Sequence, residues 1–150
     1  MKLDPNFESA IRSRAGSSPF TRWMGYELVS IDDGSAEIRL PLQEHHFNPG
    51  GIAHGGVIAS LLDSTIGLAL RTKIGEASHV TVQLDIHYIS AARAGVLRGI
   101  GTAVHSGKRM GYGEARVLND DDGLVATGAA TFLVLDDPGP RFPDRPQGDA

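Results

Sequence analysis

A carboxylate and a set of free backbone donors fall close together in one part of this chain. His46-Phe47-Asn48-Pro49-Gly50-Gly51-Ile52-Ala53-His54-Gly55-Gly56 is rich in glycine and proline, a loop whose backbone can approach another molecule closely. It runs into Val57-Ile58-Ala59-Ser60-Leu61-Leu62-Asp63, which is apolar enough to belong to a helix from about His54 to Arg71, buried on most sides. Within that span only Asp63 and Arg71 carry a charge. An ionised carboxylate in such company is costly unless it is paired, hydrogen-bonded or put to use. The amides of Gly55 and Gly56 open the helix, where unpaired N–H groups and the helix dipole favour developing negative charge. One segment therefore offers an acid able to attack a carbonyl or activate water, and donors able to hold an oxyanion.

The elements that must position these groups can be read on either side. Placed roughly 100° apart, Val57, Ile58, Leu61, Leu62, Ile66, Leu68, Ala69 and Leu70 cover more than half of the helix. Ser60, Asp63, Ser64, Gly67 and Arg71 share a narrow polar slit. A solvated Asp63 is the plain alternative, but a helix this apolar must be wrapped by a sheet, and the slit is lined mainly by small residues. Residues 1–22 form an N-terminal extension with a short helix expected over Pro5–Ser13, anchored by Phe7, Ile11 and Phe20. Strands are expected over Met24–Ile31 and Ala36–Leu40, joined at Asp32-Asp33-Gly34 as a hairpin. The clearest strand spans His79–Ser90, with Val80, Val82, Leu84, Ile86 and Tyr88 on one face and Thr81, Gln83, Asp85 and His87 on the other. Three more strands follow, near Gly95–His105, Arg109–Leu118 and Leu124–Leu135. Gly99, Gly101, Gly111, Gly113 and Gly128 would weaken a flat sheet and suit a curved one packed closely on a helix. Residues 23–135 thus read as one α+β domain, and the proline-rich tail 136–150 is expected to be disordered.

Geometry adds a constraint. Gly55 and Asp63 are eight residues apart, about 12 Å along one helix axis, so a single copy cannot bring both to one carbonyl. A two-fold axis that sets two such helices antiparallel would bring Gly55 of one copy near Asp63 of the other. If the motif is catalytic, the protein is at least a dimer.

Asn48, Gly51, His54-Gly55-Gly56 and Asp63, followed by this order of elements, resemble the hotdog-fold acyl-CoA thioesterases, in the branch of the phenylacetate-degradation thioesterase. The likeness runs from about Trp23 to Leu135. It implies a curved antiparallel sheet wrapped around one long central helix, and a homodimer at least, extending to a homotetramer as a dimer of dimers. It implies hydrolysis of an aromatic or medium-chain acyl-CoA, with Asp63 as nucleophile or general base and the Gly55 amide as oxyanion donor. Asn48 and His54 match positions that orient substrate or water, and Thr81 one where a hydroxyl assists the water. Gly67 leaves no hydroxyl where some relatives have one, and an aspartate at 63 fits this branch better than its glutamate-bearing relatives. Coenzyme A is part of the substrate, so no cofactor is implied.

Each residue also has a plainer use. Asn48 before Pro49 is ordinary turn chemistry, His54 can cap the helix, and Thr81 is a good strand former. Gly56, Phe47, Arg93 and the Lys108-Arg109 pair are candidates for substrate binding, the basic ones for coenzyme A phosphates. Phe47, Tyr88 and Met110 are candidates for acyl contact, with core packing the better reading of Tyr88. His45, His46 and His54 lack the spacing of a zinc site, so no metal is implied. The net charge of −4 argues against a nucleic-acid partner, and the absence of cysteine excludes disulfides. No stretch reaches the length of a membrane span and the N-terminus lacks signal-peptide order, so a cytoplasmic protein is expected. A non-catalytic acyl-CoA-binding module and a hydratase-type enzyme on the same fold remain alternatives.

Overall fold

In the computed structural model, which describes residues 2–136, six antiparallel strands curl around one long helix, the hotdog arrangement. The chain opens with α1 (Pro5–Ser17), where the Asp4 carboxylate accepts the amides of Asn6 at 3.0 Å and Phe7 at 3.1 Å and Pro5 fills the first turn. A second helix, α2 (Pro19–Met24), follows, capped by Ser18 and ended by Gly25 in the left-handed region at φ 81°. The strand expected from Met24 therefore starts later, as β1 (Glu27–Asp32). Gly34, at φ 85°, turns the chain into β2 (Ser35–Pro41). After a 3₁₀ turn at Glu44–His46 comes α3 (Gly55–Ile74), then β3 (Ser78–Tyr88), β4 (Val96–Ser106), β5 (Met110–Leu118) and β6 (Leu124–Leu135). The sheet order is β1-β2-β4-β5-β6-β3, which leaves β1 and β3 at the edges.

Leu61, Leu62, Ile66 and Leu70 of α3 are fully buried against Ile38, Leu40, Leu97, Val117 and Val125 of the sheet. Each such side chain contributes roughly 1.5–3 kcal/mol relative to exposure. The sheet glycines make this contact possible. A Cβ at Gly101 would lie 2.8 Å from the Thr65 side chain, and one at Gly113 would lie 2.7 Å from that of Ile66. The Thr72 hydroxyl ties the β1–β2 hairpin to the helix by accepting the Gly34 amide at 2.7 Å.

The alternation expected along β3 does not hold through the strand. Thr81 pairs with Phe132, but Gln83 pairs with Thr131, so a bulge lies at Val82. His79 and Thr81 face α3 on one side of it, as Leu84 and Ile86 do on the other. Val80 and Val82, expected to share the face of Leu84, are 44% and 54% exposed. An inserted residue reverses the alternation and re-aims a side chain.

The polar slit of α3 lies along the seam between the two sheet edges, and α1 covers part of it. Ile11 packs with Ile31, Ala36 and Ala69, while Arg12 donates to the Leu28 carbonyl at 3.1 Å. Among the described residues no helix is long and apolar enough to cross a membrane. The tail expected over 136–150 lies, beyond Asp136, outside the described residues.

Candidate active site

The loop before α3 is pinned by its own residues. The Asn48 side-chain oxygen accepts the amides of Gly50 at 2.9 Å and Ile52 at 3.3 Å, the plainer turn role. The amide of Ala53 donates to Ala92 O at 2.7 Å, and that of His54 to the carbonyl of the fully buried His46 at 2.8 Å. His46 is held below the ordinary histidine range by burial first and by neighbouring His45 second. Its Nδ1 accepts the Gln43 amide, which fits a neutral ring.

This loop delivers two different amides at the start of α3. His54 caps the helix, its Nδ1 accepting the Gly56 N–H at 2.8 Å, so the Gly56 donor is already engaged. The Gly55 N–H makes no hydrogen bond to the described residues, whereas the Gly55 carbonyl accepts the Tyr88 hydroxyl at 2.7 Å. Tyr88 is 54% exposed, which overturns the core-packing expectation for it. Asn48, Gly55 and Tyr88 line one cavity of about 320 Å³ together with Ile52, Ile58 and Ile89. The outcome at this end is one free donor beside a recess.

Two turns along α3, half-buried Asp63 accepts the Thr81 hydroxyl at 2.7 Å. The β3 bulge is what brings Thr81 to it. A carboxylate has room for further donors beyond this one. Asp63 and the Gly55 amide stay about 12 Å apart along the axis within one chain.

The remaining candidates are scattered. Phe47 bridges to Ala53 and lines neither large cavity. Arg93 is exposed just beyond Ala92, at the Gly55 end of α3. Lys108 and Arg109 are exposed at the β4–β5 turn, near the other end, where Gly111 meets Leu70. A single chain does not gather these three cations. Met110 is also exposed at that turn. His45 Nε2 pairs with Trp23 O, and among the described residues no three histidine or acidic side chains converge on a common point.

A second cavity, of about 310 Å³, continues along the slit under α1 and adds Tyr26 and His79 to the slit residues Ser64, Gly67 and Arg71. Tyr26, Ser64, Gly67, Arg71 and His79 line it, with Ile11, Leu28, Ile38 and Leu68. The Tyr26 hydroxyl is buried with no hydrogen-bond partner of normal geometry. Burial chiefly pushes it far above the usual phenol value; the Ser64 hydroxyl draws it down and the Asp63 charge adds to the rise. His79 donates through Nε2 to Gly67 O at 2.9 Å and accepts Arg71 Nη2 on Nδ1 at 2.9 Å. Burial, with the Arg71 charge second, holds it down at about 4, so the ring is neutral. The lone charge of Arg71 was the one visible signal of this end of the slit.

Comparison with known proteins agrees with the geometry. Residues 50–126 match the model of the thioesterase superfamily. Human acyl-coenzyme A thioesterase 13 is 29% identical over 134 residues, 86% of this chain and 94% of the relative. A solved structure of a conserved Pseudomonas aeruginosa protein is 39% identical with a TM-score of 0.78, covering 83% of this chain and 98% of that one. The Escherichia coli protein from the phenylacetic acid degradation operon superposes with a TM-score of 0.80 at 19% identity, covering 86% and 93% of the two chains, and so shares the fold.

Proposed function

This chain belongs to the thioesterase superfamily, and we propose that it hydrolyses acyl-coenzyme A thioesters at a site shared between two copies. The observation that carries this reading is the Asp63 carboxylate held by Thr81 at 2.7 Å on the same helix as an unpaired Gly55 amide. The Gly55 N–H of one copy receives the thioester oxygen as it gains charge, a contribution worth roughly 3 kcal/mol for one donor. Asp63 of the other copy then acts in one of two ways. It attacks the carbonyl carbon, expelling the coenzyme A thiolate and leaving a mixed anhydride that water cleaves. Alternatively it takes a proton from water, which attacks the same carbon and expels the thiolate. Either route yields the free acid and coenzyme A. Thr81 fixes one carboxylate oxygen, and Asn48 and His54 brace the loop that presents Gly55.

The second copy has a natural place. Among the described residues the outer edge of β3 has no partner strand, and Val80, Val82, Tyr88 and Ile89 are exposed along it. A long edge with exposed apolar side chains invites pairing with another chain. We propose a dimer at this edge, and a dimer of dimers as the larger assembly. Aromatic or medium-chain acyl groups are the substrate class we favour.

The test is release of free thiol from phenylacetyl-, hydroxyphenylacetyl-, benzoyl-, hexanoyl- and palmitoyl-CoA. At least one should be turned over, and Asp63→Asn should cut kcat by roughly 10²–10⁴-fold without unfolding the protein. Release that survives in Asp63→Asn would overturn the assignment of the acid. No release from wild type would favour a binding module, and interconversion of an enoyl-CoA would favour hydratase chemistry.

A further inference from the structure

Among the described residues the cavity under α1 is lined by three arginines and by no acid. Arg12 is neutralised by Glu8 at 2.8 Å. Arg14 and Arg71 have no carboxylate partner among the described residues. Arg71 is partly buried, and burial, with the nearby Arg14 charge second, lowers it to about 10. A desolvated guanidinium beside a second cation costs stability unless an anion is supplied. Part of the role of Arg71 is structural, since Nη1 donates to the carbonyls of Gly75 and Ala77 and Nη2 to His79. Of the five N–H groups of a guanidinium, these bonds leave two without an acceptor. Capping the helix end also gives no reason for Arg14 to face the same space.

Position decides which anion. The cavity begins at Ser64, next to Asp63, and ends at Arg71, with Ile11, Leu28, Ile38 and Leu68 as apolar walls between. A thioester carbon at Asp63 would send its acyl chain along these walls. Coenzyme A phosphates, by contrast, keep their hydration best at an open mouth. We propose that this cavity is the acyl pocket and that it receives a carboxylate at the far end of the chain, making monothioesters of dicarboxylic acids the preferred substrates. The proposal rests on the thioesterase reading above and narrows its substrate. Asp63 and Arg71 are eight residues apart, about 12 Å along the axis. An extended chain advances about 1.2 Å per bond, so the seven carbon–carbon bonds of a suberyl chain span about 8 Å, and the rest of the roughly 12 Å is left for the contacts with Asp63 and Arg71 at its two ends.

The test compares kcat/KM for adipyl-, suberyl- and sebacyl-CoA with hexanoyl-, octanoyl- and decanoyl-CoA. The best diacid thioester should exceed its neutral counterpart by at least about tenfold. Arg14→Gln, which removes an exposed side chain that makes no hydrogen bond among the described residues, should lower that ratio severalfold, and Arg14→Lys should restore most of it. Arg71→Gln should abolish the preference if the helix end stays folded; the Arg14 series carries the test if it does not. Turnover of neutral thioesters with no preference for the diacids would overturn the pocket assignment alone. A loss in the arginine variants that is equal for suberyl- and octanoyl-CoA would put the anion on the coenzyme and overturn it as well. Release from no thioester would overturn the parent reading and the pocket with it.

Discussion

Asp63 and Arg71 lie two turns apart on one slit of α3, yet their surroundings are opposite. Asp63 accepts a single hydrogen bond among the described residues, from Thr81, and is only half-buried in the seam. Arg71 makes three, against Gly75, Ala77 and His79, and lies beneath α1. The acid is left with spare acceptor capacity where bonds would be made and broken. The cation is fixed where a chain would end. Both residues fall within residues 50–126, which match the superfamily model, whereas the cover over Arg71 comes from α1, outside those bounds.

The largest expected effect breaks the closed end by acid. His79 in the unfolded chain binds a proton below about 6.5, and in the fold only near about 4. Its contribution is therefore intact above pH 6.5, is lost as pH falls from there towards 4, and levels off below. The full loss is about 3 kcal/mol. Urea unfolding across this range should be steeper for wild type than for His79→Gln; parallel profiles would contradict the buried, neutral ring. At the open end, Thr81→Val removes the only donor to Asp63 among the described residues and should lower kcat by about tenfold or more, with unfolding little changed. A normal kcat would reduce Thr81 to a strand former. The smallest effect sharpens the contrast. Asp4→Ala deletes the α1 cap, costs about 1 kcal/mol in that helix, and should raise hydrogen exchange in α1 while leaving α3 amides unmoved.

The fold was legible because its signals are local and mutually consistent. The apolar coverage of α3, Gly34 at the first hairpin and the glycines under the helix all pointed to a curled sheet around one helix. The site was legible in part. Periodicity alone sends Thr81 away from Leu84 and hence from the core, because nothing in Val80-Thr81-Val82 marks a bulge. The family resemblance marked Thr81 as a hydroxyl that assists the water, and its bond to Asp63 emerges only from the bulged strand. The second helix was missed although Ser18-Pro19 and Gly25 are recognisable start and stop residues, since six residues leave little room for a period. Tyr26, His79 and α1 meet only through tertiary packing between the two edges of the sheet. No spacing in the chain announces that meeting.

The central claim is that Gly55 and Asp63 act on one thioester from different copies. Gly55→Pro removes the N–H at the first helical position, where proline is well tolerated, and the extended backbone of His54 accepts a following proline. That variant and Asp63→Asn should each be nearly inactive alone. Co-refolded in equal amounts, they should recover about a quarter of wild-type thiol release, since half of the dimers are mixed and each mixed dimer holds one intact site. Recovery near that level is the predicted result. A mixture no more active than its components would contradict a site shared between copies.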